Sequence, residues 1–272
     1  MPKMVHLEFK KALAIVTLKR PEKKNALTFE MLKSLSDIGE SLKHKSEIRC
    51  VILKGCDGVF CSGIDIASFA SLANDKQFLK TIMGPLDGKP YNQMQMPCMI
   101  WKELEVPVIA VLEGPVFGAG LQLALGADIR IAAPDVILSV METKWGLIPD
   151  MGITQNLPKL MNYDTALYIT LPSELIDASE SKNLGLVTVC SDDPYESSVA
   201  WAERILTKSP DAIRFAKSLY KKAWTNNTPE NLKLEALLQT HLIGSPNQME
   251  AVLANIEKRN PKFLCDGQLN AK

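Results

Sequence analysis

No C-x-x-C pair occurs in this chain despite six cysteines, and its three histidines (His6, His44, His241) lie far apart in sequence. Ordinary zinc-ligand spacing is therefore missing. Cys50, Cys56, Cys61, Cys98, Cys190 and Cys265 read as small apolar residues of a reducing compartment. Net charge is missing too, because 31 Lys plus Arg balance 31 Asp plus Glu. That excludes nucleic-acid binding through a broad basic field. Long apolar runs are absent: the first, Ala12 to Leu18, has seven residues between basic pairs and reads as a strand. A phosphate-binding Gly-Lys-Ser/Thr sequence is also lacking. With no signal peptide in view and no peroxisomal ending, a cytoplasmic protein that does not engage a membrane is the expectation.

What is present is an ordinary globular composition, 46% hydrophobic and 23% charged over 272 residues. That length allows one large domain, or one domain with an appendage. The most informative stretch is residues 107–128, PVIAVLEGPVFGAGLQLALGAD. A buried-type strand, Val108 to Leu112, runs into Gly114, Pro115, Gly118 and Gly120, and a helix-prone apolar run begins at Leu121. Strand, glycine turn and helix N-terminus together present free backbone N–H groups, which can bind an anion or stabilise a developing oxyanion. A dinucleotide fingerprint fails here, since Leu123 stands where its third glycine would be.

Elsewhere, Val5 to Phe9 and Ala12 to Leu18 read as paired strands. Thr28 reads as the N-cap of a helix carrying Met31, Leu35, Ile38 and Leu42. Cys50 to Leu53, Ile129 to Ala132, Val136 to Val140 and Leu186 to Val189 read as short strands. Residues 67–106 read as two helical pieces broken at Gly84-Pro85 and Gly88-Lys89-Pro90. Trp101 and Trp145 are expected in the core. Met83, Met94, Met96 and Met99 suit either irregular core packing or a pliable acyl pocket. Strands alternating with helices give an α/β core over residues 1–194. From 195 to 272 the chain reads as helical, with Pro194, Pro210, Pro229 and Pro246 near helix starts. Leu232, Leu234, Leu237, Leu238 and Leu242 offer more apolar surface than one layer needs, which suggests packing on the core or on a second subunit.

Four blocks in order resemble the crotonase superfamily, the enoyl-CoA hydratase/isomerase family. They are LKRPEKKNAL at 18–27, FCSGIDI at 60–66, GPVFGAGLQL at 114–123 with ADIRIA at 127–132, and METKWGLIPD at 141–150. EKRNPKF at 257–263 is a weaker fifth. The resemblance implies a crotonase-like spiral of ββα units with C-terminal trimerisation helices, a homotrimer or dimer of trimers, and acyl-CoA substrates. No metal or redox cofactor is implied, coenzyme A being part of the substrate. It also implies that the backbone N–H groups of Ile64 and Ala119 hold the thioester oxygen, with Ala119 standing where glycine is usual. Gly63 and Gly118 shape those two turns. Coenzyme A would lie along Lys23 and Lys24 and the loop of Ser62, Gly63 and Asp65, with Lys258 reaching a neighbouring subunit's ligand. All three lysines also fit plain solvated surface.

The reaction is the open point. Hydratases of the family generally use two glutamates, and here the first position is Gln122 and the second Glu142. A neutral amide cannot exchange protons near pH 7 but can position water or substrate. Asp150 follows Glu142 by eight residues, the spacing of a Glu–Asp pair in dienoyl-CoA isomerases. The resemblance therefore points first to a double-bond isomerase using Glu142 and Asp150. A one-glutamate 2-enoyl-CoA hydratase is the alternative, and a nonenzymatic CoA-thioester-binding scaffold the third reading. Asp150 could equally cap a helix starting near Met151.

Overall fold

A computed structural model describes residues 4–68, 76–224 and 228–264. In chain order the strands are β1 (Val5–Lys10), β2 (Leu13–Leu18), β3 (Cys50–Gly55), β4 (Val108–Leu112), β5 (Pro115–Phe117), β6 (Ile129–Ala132), β7 (Ile137–Ser139), β8 (Ile176–Asp177) and β9 (Val189–Cys190). Six form a sheet in the order β1-β2-β3-β4-β6-β9, and β5-β7-β8 form a second. The β1–β2 hairpin is antiparallel and the remaining ladders of the large sheet are parallel. Both faces of its central strands are covered. Ala14, Val16, Leu53, Ala110 and Leu112 belong to one apolar cluster. Ile15, Ile52, Ile109, Val111 and Ile131 meet Ala202, Val199 and Tyr195 of the Pro194–Leu206 helix in another. Burial on both faces is why these strands read as unbroken apolar runs.

The second sheet positions the candidate site. Bridges Leu27–Ile64 and Cys61–Val116 extend the row begun by β5, β7 and β8. After β2, β3, β4 and β6 the chain crosses to this row and then enters a helical segment, which gives the repeated ββα turn. Part of what reads in sequence as a glycine turn is thus the strand β5, too short for its alternation to register.

Thr28 caps the Phe29–Leu42 helix, its hydroxyl accepting from Met31 N–H. The two helical pieces before β4 are Lys76–Met83 and Met96–Glu103. The last strand is shorter than the apolar run suggests: Leu186 and Val187 are buried, but the ladder is confined to Val189–Cys190. Trp101 is fully buried, whereas Trp145 is 59% exposed and is not a core residue of this chain. It ends a short 3-10 turn, Glu142–Trp145, that leaves the sheet toward the surface. Cys50, Cys61 and Cys98 are buried free thiols; Cys265 lies outside the described residues.

Among the described residues four helices follow: Pro194–Leu206, Pro210–Ala223, Thr228–Leu242 and Pro246–Ile256. Each begins at or one residue before a proline, where the missing N–H costs nothing. Lys217 ties the second to the core, donating to Trp101 O, Val106 O and Asp128 Oδ2. Leu237, Ile243, Val252 and Ile256 stay exposed. Among the described residues no helix is long and apolar enough to cross a membrane.

Candidate functional site

The turn into the Ala119–Leu125 helix places the left-handed backbone on Gly118 (φ 49°), whose N–H donates to Ser139 O at 3.0 Å. A β-carbon there would also lie 3.2 Å from Glu142 Oε1, so glycine is needed twice over. Ala119 is the first helical residue and has no positive φ, so its methyl group brings no backbone strain. Its N–H has no acceptor among the described residues, as expected for a first-turn donor.

Glu142 follows β7 and opens the 3-10 turn. Gln122, 1% exposed, reaches it from the helix: Gln122 Nε2 donates to Glu142 Oε1 at 2.7 Å. Gln122 Oε1 in turn accepts from Met151 N–H at 2.7 Å. One amide thus joins the Glu142 turn to the segment carrying Asp150. Glu142 Oε2 is buried and has no partner among the described residues. Burial pushes the Glu142 carboxyl above its ordinary pKa; its own backbone and Gln122 oppose this, and the nearby Asp150 charge adds to it. Burial raises Asp150 as well. A buried carboxyl with one open oxygen and a raised pKa is suited to taking and returning a proton near neutral pH.

Asp150 does not cap a helix. The next helix is Ile153–Asn156, and its N-cap is Gly152 at φ 89°. Two residues of irregular backbone separate the carboxylate from that helix end. Met99 packs against Gly152, its Sδ lying 2.7 Å from where a β-carbon would be. Met94 is buried and Met83 exposed.

Two supporting residues escaped the sequence reading. Thr143 Oγ1 lies 2.6 Å from Ser173 Oγ and donates to Thr170 O at 2.9 Å. Ser173 Oγ also accepts from Lys144 N–H at 3.0 Å. These bonds pin the Glu142 turn from behind. Thr143 lies inside the fourth block with nothing to single it out there, Ser173 lies in none of the blocks, and 30 positions separate them.

The first two blocks are knitted together. Ser62 N–H donates to Lys24 O at 3.0 Å, Leu27 N–H to Gly63 O at 2.8 Å, and Asp65 N–H to Leu27 O at 2.8 Å. Lys23 and Lys24 are exposed on the turn facing this loop. The Asp65 carboxylate accepts from Arg20 Nη1 and Ser68 N–H, both at 2.8 Å. The Arg20 bond, above all, holds its pKa down at about 2. Lys258 is exposed just beyond the Pro246–Ile256 helix. Among the described residues no hydrogen bond or ion pair joins it to the Lys23–Asp65 cluster.

The chain is similar to known proteins over most of its length. The family model described as enoyl-CoA hydratase/isomerase matches residues 8–265. The chain is 29% identical over 266 residues to the mitochondrial methylglutaconyl-CoA hydratase of Mus musculus, covering 95% of this chain and 82% of that protein. The solved enoyl-CoA hydratase of Bacillus anthracis superposes with a TM-score of 0.87 at 27% identity, covering 96% of this chain and 99% of that one. A Thermobifida fusca protein solved in complex with acetoacetyl-CoA superposes with a TM-score of 0.76 at 28% identity, covering 88% of this chain and 94% of that one.

Proposed function

Because this chain belongs to the enoyl-CoA hydratase/isomerase family and is an acyl-CoA enzyme of that family, we propose that it adds water across the double bond of a 2-enoyl-CoA thioester, with Glu142 as its single acid–base carboxylate. One observation carries the proposal: Glu142 Oε1 is held by Gln122 while Oε2 is buried and open. Glu142 takes a proton from water as the water oxygen bonds to C3. The double-bond electrons pass toward C2 and the thioester oxygen, where the Ile64 and Ala119 N–H groups receive the developing charge. The protonated Glu142 then delivers its proton to C2. Gln122 positions the carboxylate rather than exchanging protons. Coenzyme A lies along Lys23, Lys24, Ser62 and Gly63. Residues 195–272 serve assembly as a trimer or dimer of trimers, which would bring Lys258 to a neighbour's ligand.

The residue pattern by itself ranks double-bond isomerisation first. Hydration takes precedence because most of the similar proteins whose reaction is stated are hydratases. Isomerisation remains the second reading on one observation, the partly buried Asp150 close enough to Glu142 for their charges to interact. The test is turnover of 2-enoyl-, 3-enoyl- and 3,5-dienoyl-CoA by the purified protein, with products identified by mass. Gain of one water on the 2-enoyl substrate is expected. A product of unchanged mass from the other two, without hydration, would move the assignment to isomerase. Inertness toward all three would leave the scaffold reading.

A further inference from the structure

The peptide joining Gly63 to Ile64 is held from one side. Its carbonyl accepts from Leu27 N–H, and the next N–H, that of Asp65, donates back to Leu27 O. Among the described residues there are no cis peptide bonds, and a trans unit points its N–H opposite to its C=O. Ile64 N–H therefore faces away from Leu27, and it has no acceptor among the described residues. On that far side runs the Phe117–Ala119 segment: a β-carbon on Gly63 would sit 3.2 Å from Phe117 O, and Phe117 N–H donates to Cys61 O at 3.1 Å. Leu27 sets the aim of Ile64 N–H, yet Leu27 and Ile64 meet through an isolated bridge with no strand ladder behind it.

Arg20 brackets that bridge. Its Nη1 donates to Ala26 O at 3.1 Å, just before Leu27, and to Asp65 Oδ2 at 2.8 Å, just after Ile64. The Arg20 and Asp65 side chains are 16% and 12% exposed. The arginine is itself seated by buried Asn25, whose Oδ1 accepts from Arg20 N–H at 2.8 Å and whose Nδ2 donates to Val59 O at 2.6 Å. We infer that Arg20 and Asp65 are positioning residues: their ion pair locks Leu27 against the loop and so fixes the direction of Ile64 N–H toward the thioester oxygen. This rests on the role proposed above for Ile64. A fixed donor stabilises developing charge only if it is aimed before the reaction begins.

The test compares Asp65→Asn and Arg20→Lys with wild type on a 2-enoyl-CoA. Lysine keeps the charge but ends one bond short of Nη1, the nitrogen that donates to both Ala26 O and Asp65 Oδ2. Each variant should lose roughly tenfold in kcat with KM held within about twofold, because the lost stabilisation appears in the transition state. The double variant should lose no more than either single one. The infrared carbonyl stretch of bound thioester, read at saturation in folded protein, should move toward its free-solution frequency in both variants. Wild-type kcat with an unmoved carbonyl band would overturn the inference, and so would a rise in KM alone, which would make Asp65 a substrate contact. If wild type turns over none of the three substrates, it is the underlying reading that fails, and this is seen before any variant is made.

Discussion

Gln122 and Glu142 are joined by a 2.7 Å hydrogen bond that consumes one carboxylate oxygen and leaves the other buried and open. Glu142→Gln should cut turnover by about 10³-fold, the usual range for losing a general acid–base group. The same change should raise the melting temperature at neutral pH. Because burial raises the native pKa of Glu142, the folded state holds this proton more tightly than the unfolded chain. Ionising the carboxyl thus costs stability, increasingly so as pH rises through the unfolded value of about 4.3 toward the folded one. The stability gain of the variant should vanish below about pH 4. Thermal melts across pH check this, and a variant less stable than wild type at pH 7 would contradict it.

Gln122→Glu places a second carboxyl 2.7 Å from Glu142 Oε1. Two carboxylates so close cannot both ionise easily. One proton is expected to be shared, shifting the acidic limb of the pH–rate profile upward. An unshifted limb would mean that the substituted side chain has swung away.

Asp150→Asn separates the two reactions. Its carboxylate caps no helix, so folding should tolerate the change. Hydration of a 2-enoyl substrate should stay within about threefold of wild type, whereas any 3,5-dienoyl shift should fall at least about 10²-fold. Rates on both substrates decide it; a hydration loss as large as that of Glu142→Gln would make Asp150 part of the hydration chemistry.

Ala119→Pro deletes one proposed donor at a helix position that accepts proline. A fall of about 10²-fold in kcat is expected. Stopped assays with a circular-dichroism check of folding would show it, and full activity would remove Ala119 from the oxyanion site.

Exposed Leu237, Ile243, Val252 and Ile256 on the last two helices predict self-association. Light scattering at micromolar concentration should give a trimer or hexamer, and Ile256→Glu should shift the mass toward monomer. A monomeric wild type would reject the assembly.

Thr28, the apolar strands and the proline-started helices were legible because their signals are local. A cap needs a hydroxyl three residues before an N–H, and a strand buried on both faces needs a run of apolar side chains. The four blocks also carried the family. Trp145 misled because composition does not tell which way a short turn leaves a sheet. Asp150 misled because Gly152, at φ 89°, moves the helix start two residues on.

Sequence alone therefore determined the element types, the acyl-CoA family and the identities of Glu142, Gln122 and Asp150. Tertiary structure alone decided what those groups touch. The Gln122 bridge to Glu142 and Met151, the Ser173 clasp on Thr143 and the Arg20–Asp65 clamp span 20 to 45 positions. Hydrogen bonds form at about 3 Å whatever the chain separation. Which distant groups come that close is set by how the ββα turns stack.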